Sequence, residues 1–150
     1  MNMKLPPPLI FLLALAGMYG LSVYWPLVEF SFPGQRMLLL LFLLLGTLVS
    51  LAAVMSFARV RTTIDPRYPN KTSYLVTKGV FSISRNPMYL GLLCFLLAAF
   101  IYLAALSAFI AIVLFVFFIT MFQIQPEEEV LEAMFGDEYR DYCNKVRRWI

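Results

Sequence analysis

Residues 88–122 read MYLGLLCFLLAAFIYLAALSAFIAIVLFVFFITMF, 35 positions without a single charge. As one helix rising 1.5 Å per residue, this run would reach roughly 50 Å, well beyond the ~30 Å hydrocarbon core of a bilayer. It is therefore read as two spans in a tight hairpin, about Met88–Leu103 and Leu106–Gln125, with the turn near Tyr102 to Ser107. Composition agrees: the 150 residues are 61% hydrophobic and only 14% charged, with a mean hydropathy of +0.79. Soluble domains are near half apolar and about a quarter charged. No soluble core of this length buries so much apolar surface, so lipid must be the solvent for much of it.

Working back toward the N-terminus, Leu9 to Val28 is a further uncharged run long enough to span. It is too long for the apolar core of a signal peptide, and no small-residue cleavage site follows it. Pro26 is expected to end or kink this helix beside Tyr24 and Trp25, which suit an aromatic belt. After the breaker pair Pro33-Gly34, Met37 to Phe57 is a Leu-rich second span. Its Gly46, Thr47 and Ser50 lie at i, i+1 and i+4, a patch of small residues suited to a close helix–helix contact. The fold expected is all-α: one membrane-embedded domain over residues 1–150, polytopic, with about four transmembrane helices.

Arg59 to Arg85 is the one long polar loop. It carries Arg59, Arg61, Arg67, Lys71, Lys78 and Arg85 against Asp65. That excess of Lys and Arg predicts a cytoplasmic loop, and four spans then return both termini to the same side. The net charge of +3 is read as this topological bias, because no basic face interleaved with aromatics points to nucleic acid. Pro66, Pro69 and Asn70 argue against regular structure in the first half of the loop, and Gly79 is expected to supply a turn. Cys94 and Cys143 are far apart and the chain has no His. A disulfide framework, a zinc site and the usual general base are all disfavoured.

Beyond the apolar run comes Gln125-Pro126-Glu127-Glu128-Glu129. Proline at the first helical position with acids in the first turn predicts a helix start. Alternatively Pro126 only kinks a helix that continues from the fourth span. Phe135-Gly136-Asp137 reads as a stop and a fresh cap. Tyr139, Tyr142, Val146 and Trp149 then form an apolar stripe. The tail is expected to be interfacial, lying on the membrane or on the protein's own loop.

The chemistry-bearing residues fall into two groups. Arg85, Asn86 and Tyr89 begin the third span; Glu127 and Glu128 follow the fourth. A hairpin puts both groups on one membrane side. Together they offer a cation, anions, hydrogen-bonding groups and apolar walls, which suits a zwitterionic ligand beside a lipid co-substrate. The residues alone leave a plainer reading equally open: Arg85 snorkels to headgroups, Pro87 starts a helix and the glutamates face a helix dipole.

Leu75-Val76-Thr77-Lys78-Gly79-Val80-Phe81, then Ser84-Arg85-Asn86-Pro87-Met88-Tyr89-Leu90-Gly91, resembles the LVTxGxY…RHPxYxG signature of the isoprenylcysteine carboxyl methyltransferase family. Glu127-Glu128, Leu131, Phe135-Gly136, Tyr139 and Tyr142 are similar to its C-terminal EExxL…FGxxYxxY block. The likeness covers about Thr62 to Ile150 and looks like the short bacterial members, related more broadly to membrane phospholipid methyltransferases. It implies S-adenosylmethionine as cofactor, S-adenosylhomocysteine as product, and a site on the cytoplasmic side of a bacterial inner membrane. The implied segments are about 73–91 and 123–142. The implied cofactor contacts are Ser73, Tyr74, Leu75 and Val76, then Phe81, then Asn86, Pro87, Met88 and Tyr89, and finally Glu127 with Glu128. Arg85 and Gln123 would serve the reaction itself.

Three positions depart from the family pattern. Asn86 stands where His is usual and Phe81 where Tyr is usual. Gln123 stands where eukaryotic members carry an Arg assigned to the substrate carboxylate; a neutral amide cannot pair a carboxylate by charge. Methyl transfer from a sulfonium is an in-line displacement with a neutral leaving group, so neither His nor a metal is required. The function expected is a membrane methyltransferase acting on a lipophilic or small acceptor, carboxyl O-methylation being what the resemblance implies. Membrane lipid and a lipophilic acceptor are its expected partners, with no nucleic acid and no metal. The runner-up is a non-catalytic lipid-binding or assembly protein that keeps the fold. A transporter is weaker, since no ionisable residue sits mid-span.

Overall fold

The computed structural model of the chain describes residues 6–60 and 74–150. Ser73 and the Pro66–Asn70 stretch lie outside the described residues. Among the described residues there are six α-helices: α1 Pro7–Tyr24, α2 Gln35–Val60, α3 Pro87–Leu103, α4 Ala108–Ile119, α5 Gln125–Phe135 and α6 Asp137–Lys145. The protein is an all-α membrane protein. α1, α2 and the continuous rod Ala108–Phe135 are long and apolar enough to cross a bilayer, and α3 is a shorter apolar helix of 17 residues.

The side chains sort as lipid solvation demands. Leu12, Leu13, Leu40, Leu44, Leu48, Leu51, Val113, Leu114 and Phe117 are exposed on the helix faces. A smaller set (Met18, Leu96, Ile112, Phe115, Ile119 and Ile124) forms the central core. α2 packs chiefly on α3, and α1 on α4. Gly46 and Ser50 do make the close contact expected of small residues. A Cβ built on Gly91 of α3 would lie 2.1 Å from Ser50 Oγ and 3.1 Å from Gly46 O. Thr47 instead turns outward and donates to Leu43 O.

The two interhelical turns meet at one pole. α1 ends at Tyr24 rather than near Val28, because Trp25-Pro26 leaves the helix and Leu27 adopts φ +58°. The chain then runs extended, with Glu29 bridged antiparallel to Ala105. Phe30 N–H donates to Ala104 O at 3.0 Å and Leu106 N–H to Val28 O at 2.9 Å. Ser107 Oγ donates to Leu21 O at 3.2 Å, and Gln35 Nε2 to Ile101 O at 2.8 Å. The α3–α4 turn is therefore Ala104–Ser107, within the range expected from sequence.

At the opposite pole, Pro126 does not start a separate helix. The helix continues through a π turn at Thr120–Ile124, where Gln125 N–H reaches Thr120 O five residues back. Proline at 126 has no N–H for the carbonyl four residues earlier, and a widened turn accommodates the missing bond. This is the kinked continuation, the second of the two sequence readings. Gly136, at φ +53°, ends α5 with its N–H on Glu132 O and is itself the cap position of α6, with Asp137 inside the first turn.

Candidate functional site

The segment leading into α3 is shaped by a short 3-10 turn, Gly79–Ser82, made possible by Gly79 at φ +68°. The turn carries Phe81 inward. Phe81 packs edge-on against Phe57 at a centroid distance of 5.2 Å, and with Val76 and Ala53 forms a buried cluster that Met88 abuts. Leu75 goes elsewhere: it is buried with Tyr139, Tyr142 and Val146. Tyr74 is exposed. The loop thus uses adjacent residues to grip the end of α2 and the tail helix; Tyr139, Tyr142 and Val146 of the tail's stripe lie on the protein's own loop, while Trp149 packs on the central core.

α3 starts with buried Pro87 at its first position, where its fixed φ suits a helix. Asn86 occupies the cap position, yet its side chain bonds no helix N–H. Its Nδ2 donates instead to Arg148 O at 3.0 Å, while its backbone N–H donates to Ser84 Oγ at 3.1 Å. Ser84 is fully buried.

The two sequence groups do meet. Tyr89 OH donates to Glu127 Oε1 at 2.8 Å, joining α3 to α5. Arg85 Nη2 lies 3.2 Å from Glu128 Oε1, with side chains only 13% and 16% exposed. Arg85 Nη1 also contacts Cys143 Sγ, and its Nε is buried with no partner among the described residues. Gln123 sits inside the π turn, 5% exposed. So Arg85, Asn86, Tyr89, Glu127 and Glu128 converge at one pole, with Val76, Phe81 and Met88 as a neighbouring apolar cluster.

Sequence reasoning missed several participants. Arg148 grips Glu128 with both arms, Nε to Oε1 at 3.1 Å and Nη2 to Oε2 at 2.7 Å. That ion pair holds the Arg148 guanidinium above its ordinary pKa. Tyr142 OH donates to Phe81 O at 2.6 Å, and burial pushes the phenols of Tyr142 and Tyr139 up. Trp149 Nε1 reaches Thr120 Oγ1 at 3.3 Å in the π turn. In sequence, Arg148 is one of several basic residues in the tail, and no periodicity distinguishes it from Arg140, whose partners are exposed. Among the described residues no group of His, Cys, Asp and Glu is arranged to hold a metal ion.

The fold and site define a class: a small all-α membrane protein with an Arg–Glu and Tyr–Glu cluster where a loop, a kinked helix and a tail converge at one pole. The family model for phospholipid methyltransferases matches residues 35–138, more than half of the chain. The chain belongs to this family, as an isoprenylcysteine carboxyl methyltransferase-like member. It is 30% identical over 123 residues to protein-S-isoprenylcysteine O-methyltransferase of Schizosaccharomyces pombe, covering 80% of this chain and 51% of that protein. It is 27% identical over 127 residues to protein-S-isoprenylcysteine O-methyltransferase B of Arabidopsis thaliana, covering 85% and 60% respectively. The chain thus spans about half to three-fifths of the length of these two relatives. An uncharacterized protein of Haemophilus influenzae is 49% identical over 63 residues, all of that protein and 42% of this chain. No solved structure matches.

Proposed function

We propose that this protein is an integral membrane methyltransferase that transfers the methyl group of S-adenosylmethionine to a lipophilic acceptor at the membrane face. The observation that carries the reading is the Tyr89–Glu127 hydrogen bond. It unites the two sequence blocks that resemble a methyltransferase signature, in a chain whose family is one of methyltransferases.

The residues present fit such a cofactor. Met88, half-buried against the Val76–Phe81 cluster, offers an apolar contact to adenine, and the Glu127 carboxylate, besides accepting Tyr89 OH, suits hydroxyl or ammonium donors. The buried Nε of Arg85, which has no partner among the described residues, is a donor that a ligand carboxylate oxygen would satisfy. When bound, the cofactor supplies the electrophilic methyl group. The chain's own work is to bind, orient and exclude water. Tyr89 fixes the rotamer of Glu127, and the Arg85–Glu128 pair holds the guanidinium in place.

The excess of Lys and Arg in the 59–85 loop supports a cytoplasmic site and cytoplasmic termini. The similarity to a Haemophilus influenzae protein supports a bacterial setting, and the apolar helices support a membrane one. The two longer relatives are named as O-methyltransferases of protein S-isoprenylcysteine, which supports O-methylation of a lipid-bearing acceptor. Buried, neutral Gln123 favours an acceptor whose recognition does not depend on a charge pair at that position, which leaves amine and thiol acceptors alongside carboxyl groups. The runner-up, a fold-retaining protein without activity, has no specific observation in its favour.

The test is transfer of radiolabelled methyl from S-adenosylmethionine into membrane extracts, with mass identification of the product, alongside calorimetry with S-adenosylhomocysteine. A labelled lipophilic product is the expected result. Absence of binding to either cofactor form would sink the reading.

A further inference from the structure

The cofactor reading needs two walls held at a fixed separation, one at the start of α3 and one at the start of α5. Much of what crosses between them is the tail after α6, and one residue of that tail has both ends engaged. The Arg148 guanidinium forks onto both oxygens of Glu128, at 3.1 and 2.7 Å. Its carbonyl accepts Asn86 Nδ2 at 3.0 Å and Ser84 Oγ at 3.4 Å. On either side, Arg147 O accepts Arg85 N–H at 3.1 Å, and Trp149 Nε1 donates to Thr120 Oγ1 at 3.3 Å.

Charge balance alone does not call for this arrangement. Arg85 already faces Glu128 at 3.2 Å and supplies its counter-charge. What a second guanidinium adds is geometry, because a planar fork meeting both carboxylate oxygens fixes distance and angle together. Glu128 is the neighbour of Glu127, and Asn86 lies three residues before Tyr89. A residue joining Glu128 to Asn86 therefore sets how Glu127 meets Tyr89.

We propose that Arg148 is a positioning residue for the cofactor site: its side chain and its carbonyl together hold the Glu127–Glu128 wall against the Asn86–Tyr89 wall. The proposal rests on the S-adenosylmethionine reading above. Arg148 acts through Glu128 and Asn86 and needs no contact with the ligand.

The test is calorimetric titration of S-adenosylhomocysteine into the detergent-purified full chain, which reads stoichiometry and Kd separately. R148Q, which loses charge and fork, should raise Kd about tenfold with stoichiometry retained. R148K, which keeps the charge without the planar fork, should raise it about threefold. The double variant R148Q/E128Q should bind no worse than E128Q alone, since the two residues act as one unit. Wild-type Kd in both R148Q and R148K would overturn the proposal. So would a fall in stoichiometry with unchanged Kd, the signature of a role in stability alone. If R148Q fails to fold, R148K decides the matter by the same readout. Absence of binding by the wild-type chain would overturn the cofactor reading itself.

Discussion

Tyr89 and Glu127 are 38 residues apart in sequence, and the tyrosine hydroxyl donates to the glutamate Oε1 at 2.8 Å. The bond exists because α3 descends from the site pole and the α4–α5 rod returns to it. A hydrogen bond to a charged group contributes about 1.5–3 kcal/mol. Tyr89→Phe keeps the ring and removes the donor. Under the proposed function it should weaken S-adenosylhomocysteine binding about 10- to 100-fold. An affinity within twofold of wild type would show that this bond is only structural.

α2 and α3 approach closely at Gly91. Gly91→Ala would set a methyl 2.1 Å from Ser50 Oγ, 3.1 Å from Gly46 O and 3.3 Å from Ser50 Cβ. The hydroxyl can rotate away, but the backbone oxygen and Cβ cannot. Overpacking of this kind costs about 1–3 kcal/mol. Thermal unfolding in detergent should show a lowered midpoint, partly restored by adding Ser50→Ala. An unchanged midpoint would mean that the helices separate freely there.

Gln123 lies buried in the π turn. If this position faces the methyl acceptor, Gln123→Arg should add a charge-assisted contact to an acidic acceptor. Activity on a prenylcysteine carrying a free carboxylate should then rise about tenfold in kcat/KM over wild type. The neutral methyl ester of the same compound, as a binding competitor, should gain nothing. Equal gains for acid and ester would remove Gln123 from the acceptor side.

The tail's phenols set an alkaline limit. Burial, the largest cause, raises the pKa of Tyr139 and Tyr142 above the ordinary value of 10.0. Acids whose folded pKa is raised contribute stability that is fully present below the unfolded value and lost as pH rises through the folded one. Tail docking should therefore hold from neutral pH to about 10 and fail above it. Trp149 fluorescence in a Trp25→Phe background reports it, and Tyr142→Phe should move the transition upward. A transition between pH 6 and 8 would point to some other group.

Much of the architecture was legible in the sequence for one physical reason. In lipid, backbone groups must be satisfied within each segment, so uncharged runs become helices and Pro-Gly pairs become turns. The 88–122 run, its length against the bilayer and the Ala104–Ser107 turn follow from that rule. The Gly46–Ser50 patch was legible from side-chain size, and the turn at Gly79 from the absence of a Cβ. The convergence of Arg85, Tyr89 and Glu127 at one pole also follows, from counting helices. Pro126 was ambiguous, because a proline after an apolar run suits a new start as well as a kink. Only the path of the chain, with Gln125 bonded to Thr120, distinguishes them.

Pairing within the site was not legible. Asn86 read as a ligand contact, and it donates to Arg148 O. Arg85 read as a ligand or headgroup contact, and it pairs with Glu128. Arg148 read as one basic residue of an interfacial tail. The sequence by itself determined which segments leave water and which pole gathers the polar groups, because solvation acts on each segment separately. Which carboxylate met which guanidinium was decided by the tertiary structure alone. Such pairs depend on distances of about 3 Å between elements joined only through the folded chain.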